Sequence, residues 1–213
     1  MELGYPRNTI LTLPKEQVRS FVQKYEPKQT LQLIERISKF DTVYIYMPTW
    51  RDSQRDVFAQ QMDLHKLSAE LKKQNAVLLL KPHHNTKVDA IYQSENLMLV
   101  EGTVDIYGVL PFTDVLITDY SSILYDYILI PGKNVILYLY DYQEYVSERD
   151  FYYPFDENVV GKQVHSFDEL VHVIAKQNYQ MNADDRQYII DRFWGDTVNM
   201  DSSKAILEHV CGA

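Results

Sequence analysis

The sequence predicts an α/β domain: a doubly wound, Rossmann-like parallel sheet with helices on both faces. Short apolar and β-branched runs recur at residues 42–46, 76–80, 97–100, 115–118 and 134–140, each too short for a helix and bounded by polar or turn residues. Stretches of helical period alternate with these runs, as crossover connections between parallel strands require. Polar, chemically loaded segments follow three of the strands, where open α/β sheets place their ligand crevices.

Taken in order, residues 1–14 hold two prolines, one glycine and few periodic apolar side chains, and are expected to be a lead-in rather than a folded element. Residues 16–25 and 28–38 predict two short helices, with Val18, Phe21 and Val22, then Leu31, Ile34 and Ile37, at helical spacing. The first strand, 42–46, is stopped by Pro48, which forces an abrupt exit. Residues 56–74 form the clearest amphipathic helix, with Phe58, Met62, Leu64, Leu67 and Leu71 near one face. The strand 76–80 runs into Lys81-Pro82-His83-His84-Asn85, and a short third strand covers 97–100. A brief helix is expected over 104–112. The run Val115-Leu116-Ile117-Thr118 is the central strand, and Ser121 and Ser122 precede an apolar helix over 123–130. Pro131 and Gly132 punctuate the join to the strand 134–140. Residues 141–161, aromatic and charged without period, are expected to be a long functional loop. Ser166 and Glu169 spell a capping box for a helix over 166–177, and helices over 184–193 and 202–210 close the chain.

Composition narrows the function. The chain of 213 residues is long enough for a substantial core, and 46% hydrophobic with 24% charged residues is ordinary globular usage. A net charge of −9 argues against nonspecific nucleic-acid binding. The single cysteine, Cys211, rules out an internal disulfide framework and fits a reducing compartment. With neither a signal peptide nor an apolar run near the ~20 residues of a membrane span, a cytoplasmic protein is expected. The 17 tyrosines are unusually many, and those in apolar runs are expected to be core or crevice walls whose hydroxyls need partners. No P-loop or GxGxxG fingerprint is present, which disfavours an ATPase or a dinucleotide dehydrogenase.

The loops after the strands gather Thr49, Trp50 and Arg51; Lys81, His83 and His84; and Asp119, Ser121 and Ser122. Trp50 can wall a base or sugar, and Arg51 can make paired hydrogen bonds to phosphate. Lys81 adds a point charge, while His83 can donate to a phosphate oxygen or exchange a proton near neutral pH. Serine hydroxyls and free N–H groups at a helix start suit a dianion. The set predicts a site for a phosphorylated nucleotide, with no metal expected because adjacent histidines on extended chain point oppositely and lack acidic or cysteine partners.

The motifs Gly4-Tyr-Pro-Arg-Asn8, Met47-Pro-Thr-Trp-Arg51, Lys81-Pro-His83, Asp105-Ile-Tyr107 and Asp114-Val-Leu-Ile-Thr-Asp-Tyr-Ser-Ser122 occur in this order. Together they resemble the C-terminal, donor-binding half of the CDP-glycerol glycerophosphotransferases, which make teichoic-acid-like and capsular polymers on a GT-B-type architecture. The resemblance implies that residues 1–14 are the remnant of an interdomain linker and residues 15–213 the donor domain. It carries Thr49, Trp50, Arg51, His83, Asp119, Ser121 and Ser122 onto the site of the donor, CDP-glycerol or a related CDP-polyol, where Lys81 and Tyr120 are also expected. His83 and Arg51 are assigned the catalytic roles. Asp119, too near the phosphates to ligate them, is expected to orient the turn or accept from a sugar hydroxyl. Ser202, Ser203 and Lys204 are implied as phosphate contacts, although the family's Asp-Gly and arginine are replaced here. The resemblance also implies an N-terminal domain that carries the general base, a lipid-linked polymer acceptor at the inner face of the membrane, and no nucleic-acid partner or cofactor. The readings that compete with it are a UDP-sugar-dependent GT-B transferase or epimerase domain, and a non-catalytic nucleotide-binding module.

Overall fold

The computed structural model describes residues 2–49, 61–81, 94–149 and 151–212. Six strands, β1 (Thr42–Met47), β2 (Ala76–Leu80), β3 (Leu97–Leu99), β4 (Val115–Thr118), β5 (Asn134–Tyr138) and β6 (Lys162–Val164), form one sheet in the order β3-β2-β1-β4-β5-β6. Every pairing is parallel. This is the doubly wound order whose direction reverses between β1 and β4, the point at which such sheets open a ligand crevice. The expected fold class is the one observed.

Both faces of the sheet are covered, so its central strands are apolar throughout rather than alternating. Val43 and Ile45 of β1 enter one core, and Tyr44 and Tyr46 enter the other. The first core takes side chains from α1 (Thr9–Thr12), α2 (Lys15–Tyr25) and α3 (Lys28–Ile37). The second takes Leu64, Leu67 and Leu71 of α4 (Leu64–Lys73). Of the later helices, α5 (Ile106–Val109), α6 (Ile123–Tyr127) and α9 (Ala183–Phe193) join the first core, while α8 (Phe167–Lys176) joins the second. The short α7 (Tyr142–Glu148) and the final α10 (Ser202–Cys211) lie outside both, save for partly buried Tyr142. Tyr44, Tyr127 and Tyr138 find partners for their hydroxyls: Tyr44 with Tyr179 at 3.0 Å, Tyr127 with Thr113 at 2.9 Å, and Tyr138 with the Gln61 carbonyl at 2.8 Å.

Several elements depart from expectation. Residues 6–12, within the expected lead-in, are folded: a 3-10 turn over Pro6–Asn8 leads into α1, and Leu11 is fully buried. α4 starts at Leu64, capped by Asp63, rather than running unbroken from residue 56, and Phe58 lies outside the described residues. α6 is five residues long, because its final turn tightens into Leu129–Asp126 and Ile130–Tyr127 bonds ahead of Pro131. The expected loop 141–161 contains α7, and β6 follows it. β6 escapes sequence reading because it is three residues at the sheet edge, two of them exposed. Its position rests on Gly161, at φ 134°, where a Cβ would lie 2.8 Å from the Val135 carbonyl oxygen. The capping box is present in altered form: Ser166 Oγ accepts from the Glu169 N–H, and Glu169 Oε2 accepts from the His165 N–H.

Candidate functional site

The crevice at the β1/β4 reversal is held by one buried carboxylate. Asp119, 1% exposed at the end of β4, accepts from the Thr49 N–H at 2.9 Å and 3.1 Å with its two oxygens. The Thr49 hydroxyl donates to Oδ1 at 2.5 Å, and the Tyr120 N–H donates to the same oxygen at 2.6 Å. One residue earlier, the Thr118 hydroxyl donates to the Met47 carbonyl at 2.7 Å. Two loops about 70 residues apart are thus fastened side by side. The carboxylate acceptor makes the bonds to Asp119 stronger than neutral ones. Asp119 therefore ties the Tyr120 turn to the segment after β1, and the Thr49 hydroxyl proton goes to that anchorage.

The serine turn stands on this anchor. Ser122 occupies the N-cap position of α6 in helical rather than extended conformation, so its side chain makes no cap bond. Ser121 Oγ lies 3.5 Å from the Ile123 N–H, a weak contact. Among the described residues, the N–H groups of Ser121 and Ser122 and the Ser122 hydroxyl make no protein hydrogen bond, and the turn is partly open to solvent. A five-residue helix has a weak dipole, so the attraction to an anion would come chiefly from these unspent donors.

Asp119, Tyr120 and Ser121 line one side of a cavity of about 230 Å³, and the other side is aromatic. Tyr120 stacks on Tyr145 with ring centroids 3.9 Å apart and packs on Phe151 and Phe155. Its hydroxyl donates to Asp141 at 3.1 Å. Tyr125 closes the floor by donating to the Asn158 carbonyl at 3.0 Å, and burial pushes its phenol pKa up, so it stays a neutral donor. None of Tyr125, Phe151, Phe155 or Asn158 was expected at the site. For Phe151, Phe155 and Asn158 the sequence signal is the aromatic density of the segment after β5, whereas Tyr125 stands in α6.

Lys81 is half-buried at the end of β2, its N–H on the Tyr46 carbonyl at 3.0 Å. Trp50, Arg51, His83 and His84 lie outside the described residues. The structure does not bring Ser202, Ser203 and Lys204 into the serine-turn cavity. Ser202 is buried where Gly4 approaches it, and lines a second cavity with Trp194 and Asn8. Ser203 is exposed, and Lys204 pairs with Glu208 on its own helix at 3.7 Å.

The remaining motif residues form a clamp behind the turn. Asp126 of α6 is 2% exposed, and its Oδ2 accepts from Tyr107 Oη at 2.6 Å and pairs with Arg7 Nη2 at 3.0 Å. Asp105 caps α5 by accepting from the Tyr107 N–H at 2.8 Å. The carboxylate beside it and, above all, burial hold the Tyr107 phenol well above its usual range.

The family model of CDP-glycerol:poly(glycerophosphate) glycerophosphotransferases matches residues 1–211. The chain belongs to this family. It is 31% identical over 183 residues to the teichoic acid ribitol-phosphate polymerase TarL of Staphylococcus aureus, covering 83% of this chain and 31% of the relative. It is 28% identical to the teichoic acid poly(glycerol phosphate) polymerase of Bacillus spizizenii, covering all of this chain and 53% of that one. A solved wall teichoic acid polymerase, TagF, soaked with CDPG, superposes with a TM-score of 0.76 at 25% identity, over 99% of this chain and 52% of its own. The chain therefore spans between 31% and 53% of the length of these relatives. Among the described residues, no helix is long and apolar enough to cross a membrane.

Proposed function

We propose that this chain is the donor-binding half of a polyol-phosphate transferase, which moves glycerol phosphate from CDP-glycerol to a growing teichoic-acid-like polymer and releases CMP. The observation that carries this reading is the serine turn: unspent N–H and hydroxyl donors at the β1/β4 reversal, braced by Asp119 on Thr49 and backed by an aromatic cavity. Family membership supports the same donor chemistry.

In this reading the polymer's terminal hydroxyl attacks the β-phosphorus of the donor, the bond from that phosphorus to the oxygen bridging to CMP breaks, and CMP departs with the electron pair. The transfer demands positioning and charge stabilisation more than covalent help from the protein. Ser121 and Ser122 hold the pyrophosphate, Lys81 sets the local field, and His83 and Arg51 stabilise the transferring phosphoryl group or the leaving group. The base that takes the hydroxyl proton belongs to the other domain, and the lipid-linked acceptor puts the reaction at the inner face of the membrane. No cofactor or metal is assigned a step. A CDP-ribitol donor is the second reading. It is favoured by relatives of 30–32% identity named for ribitol phosphate, beside those of 27–28% named for glycerol phosphate.

Calorimetric titration of this chain with CDP-glycerol, CDP-ribitol, CMP and UDP-glucose tests the proposal. Binding of the cytidine ligands but not UDP-glucose is expected, with at least a tenfold loss in the Ser121→Ala/Ser122→Ala double variant, about 1.4 kcal/mol. An unchanged dissociation constant in that variant removes the phosphate from the serine turn. In the full-length enzyme, His83→Ala should cut turnover far more than donor binding, and near-normal turnover removes His83 from the mechanism.

A further inference from the structure

Two motifs that the donor site leaves unused, Gly4–Asn8 and Asp105–Tyr107, meet at one carboxylate. Asp126 of α6 is 2% exposed, and its Oδ2 takes both the Tyr107 hydroxyl at 2.6 Å and Arg7 Nη2 at 3.0 Å. Arg7 lies over two rings, 4.8 Å from the Tyr5 centroid and 5.5 Å from that of Tyr107. Tyr107 is itself fixed by the Asp105 cap of α5. Guanidinium, phenol and carboxylate thus form one oriented group rather than a loose surface pair.

This group is a poor device for stability. Arg7 is half exposed, so solvent screens its attraction, while Asp126 bears the cost of burial. What the arrangement supplies is direction. α6 has only five residues and no side-chain cap, so its own hydrogen bonds hold its start weakly. Asp126 stands four positions after Ser122, which is itself helical, so the two share one face of the helix a turn apart. A shift at Asp126 therefore reorients the N–H and hydroxyl donors of the serine turn. The front of that turn is tied by Asp119 to Thr49, and the helix behind it is tied by Asp126 to Arg7. Donors fixed in advance need no ordering when an anion arrives.

We propose that Arg7 and Tyr107 are positioning residues for the donor phosphates. Through Asp126 they hold the start of α6 so that the donors of Ser121 and Ser122 converge on one anion, and neither residue touches the ligand. The inference rests on the donor reading and adds to it a contribution from the first turn of the chain.

A double-mutant cycle read by calorimetry tests it, on the 213-residue chain with whichever of CDP-glycerol and CDP-ribitol binds more tightly. Arg7→Ala should weaken binding about fivefold. Arg7→Lys, which keeps a cation for Asp126, should recover most of that loss, and Tyr107→Phe should reproduce part of it. In the Ser121→Ala/Ser122→Ala chain, Arg7→Ala should have no further effect, because the donors it aims are gone. Lys66→Ala breaks an exposed pair with Asp168 on the helix layer of the other sheet face, and should bind as the unaltered chain does. Unchanged affinity in Arg7→Ala overturns the proposal. So does a loss that persists in full in the serine variant, which would make Arg7 a direct phosphate ligand, or an equal loss in Lys66→Ala, which would make the effect a general loosening. If the serine variant itself binds normally, the donor reading fails and this inference falls with it.

Discussion

Arg7 and Asp126 bind the start of the chain to the helix that follows the serine turn, Nη2 to Oδ2 at 3.0 Å. The arginine is half exposed and the carboxylate almost wholly buried, so the two partners are not equivalent in energy. Asp126→Asn weakens two bonds to a buried acceptor and should cost about 2–3 kcal/mol. Arg7→Ala removes a solvent-screened partner and should cost about 1 kcal/mol. Thermal melts of both variants check the order: Asp126→Asn should lower Tm by roughly 4–10 °C, and clearly more than Arg7→Ala.

Asp119→Asn tests the tie across the crevice. An amide can accept through only one oxygen and would turn its NH₂ toward the donors of Thr49. A loss of about 2 kcal/mol in urea unfolding is expected. Thr49→Val keeps the backbone bond and loses only the hydroxyl, so its cost should be smaller, near 1 kcal/mol.

The buried phenols make alkaline stability a further test. Burial is the foremost cause of raised pKa values at Tyr44, Tyr107, Tyr125, Tyr127, Tyr138 and Tyr179. Above about pH 10 the unfolded chain gives up these protons while the folded chain keeps them, so the folded state binds more protons and stability falls as pH rises. In an absorbance titration of phenolate these six should ionise only with unfolding, and their smooth ionisation in the folded chain would contradict the shifts.

Gly4 carries φ +65°, and a Cβ there would stand 2.4 Å from Ser202 Oγ and 3.3 Å from Thr197 Cβ. Gly4→Ala should therefore destabilise by about 1–3 kcal/mol, combining left-handed strain with the clash. Adding Ser202→Gly should recover the clash and leave the strain. Full recovery in the double variant would show that backbone conformation contributes nothing.

These tests fall on contacts the sequence discloses unevenly. The strands of the sheet interior are legible because burial on both faces leaves unbroken apolar runs such as Val115-Leu116-Ile117. β6 is illegible because Lys162 and Gln163 face solvent at an edge, and only Gly161 marks the close approach. The turn at Ser121 and Ser122 could be placed at a strand end from its residues alone. That Asp119 is spent on Thr49 could not, since nothing local ties residues 70 positions apart. Arg7 and Asn8 belong to one motif, yet their surroundings diverge once folded: the first is clamped to Asp126, and the amide of the second is buried without a hydrogen-bond partner.

The position of β1 at the centre of the sheet has a kinetic consequence. β1 bonds on one side to β2, whose partner residues lie 34 positions on, and on the other to β4, about 71 positions on. Until Thr118 has been made, the Tyr44–Met47 edge has no strand to pair with, and an apolar open edge is a template for other chains. Formation of the β1/β4 seam is thus the longest-range closure among the strand pairs of the sheet, the kind that slows folding most. The crevice beside Asp119 and Thr49 is completed by that same closure.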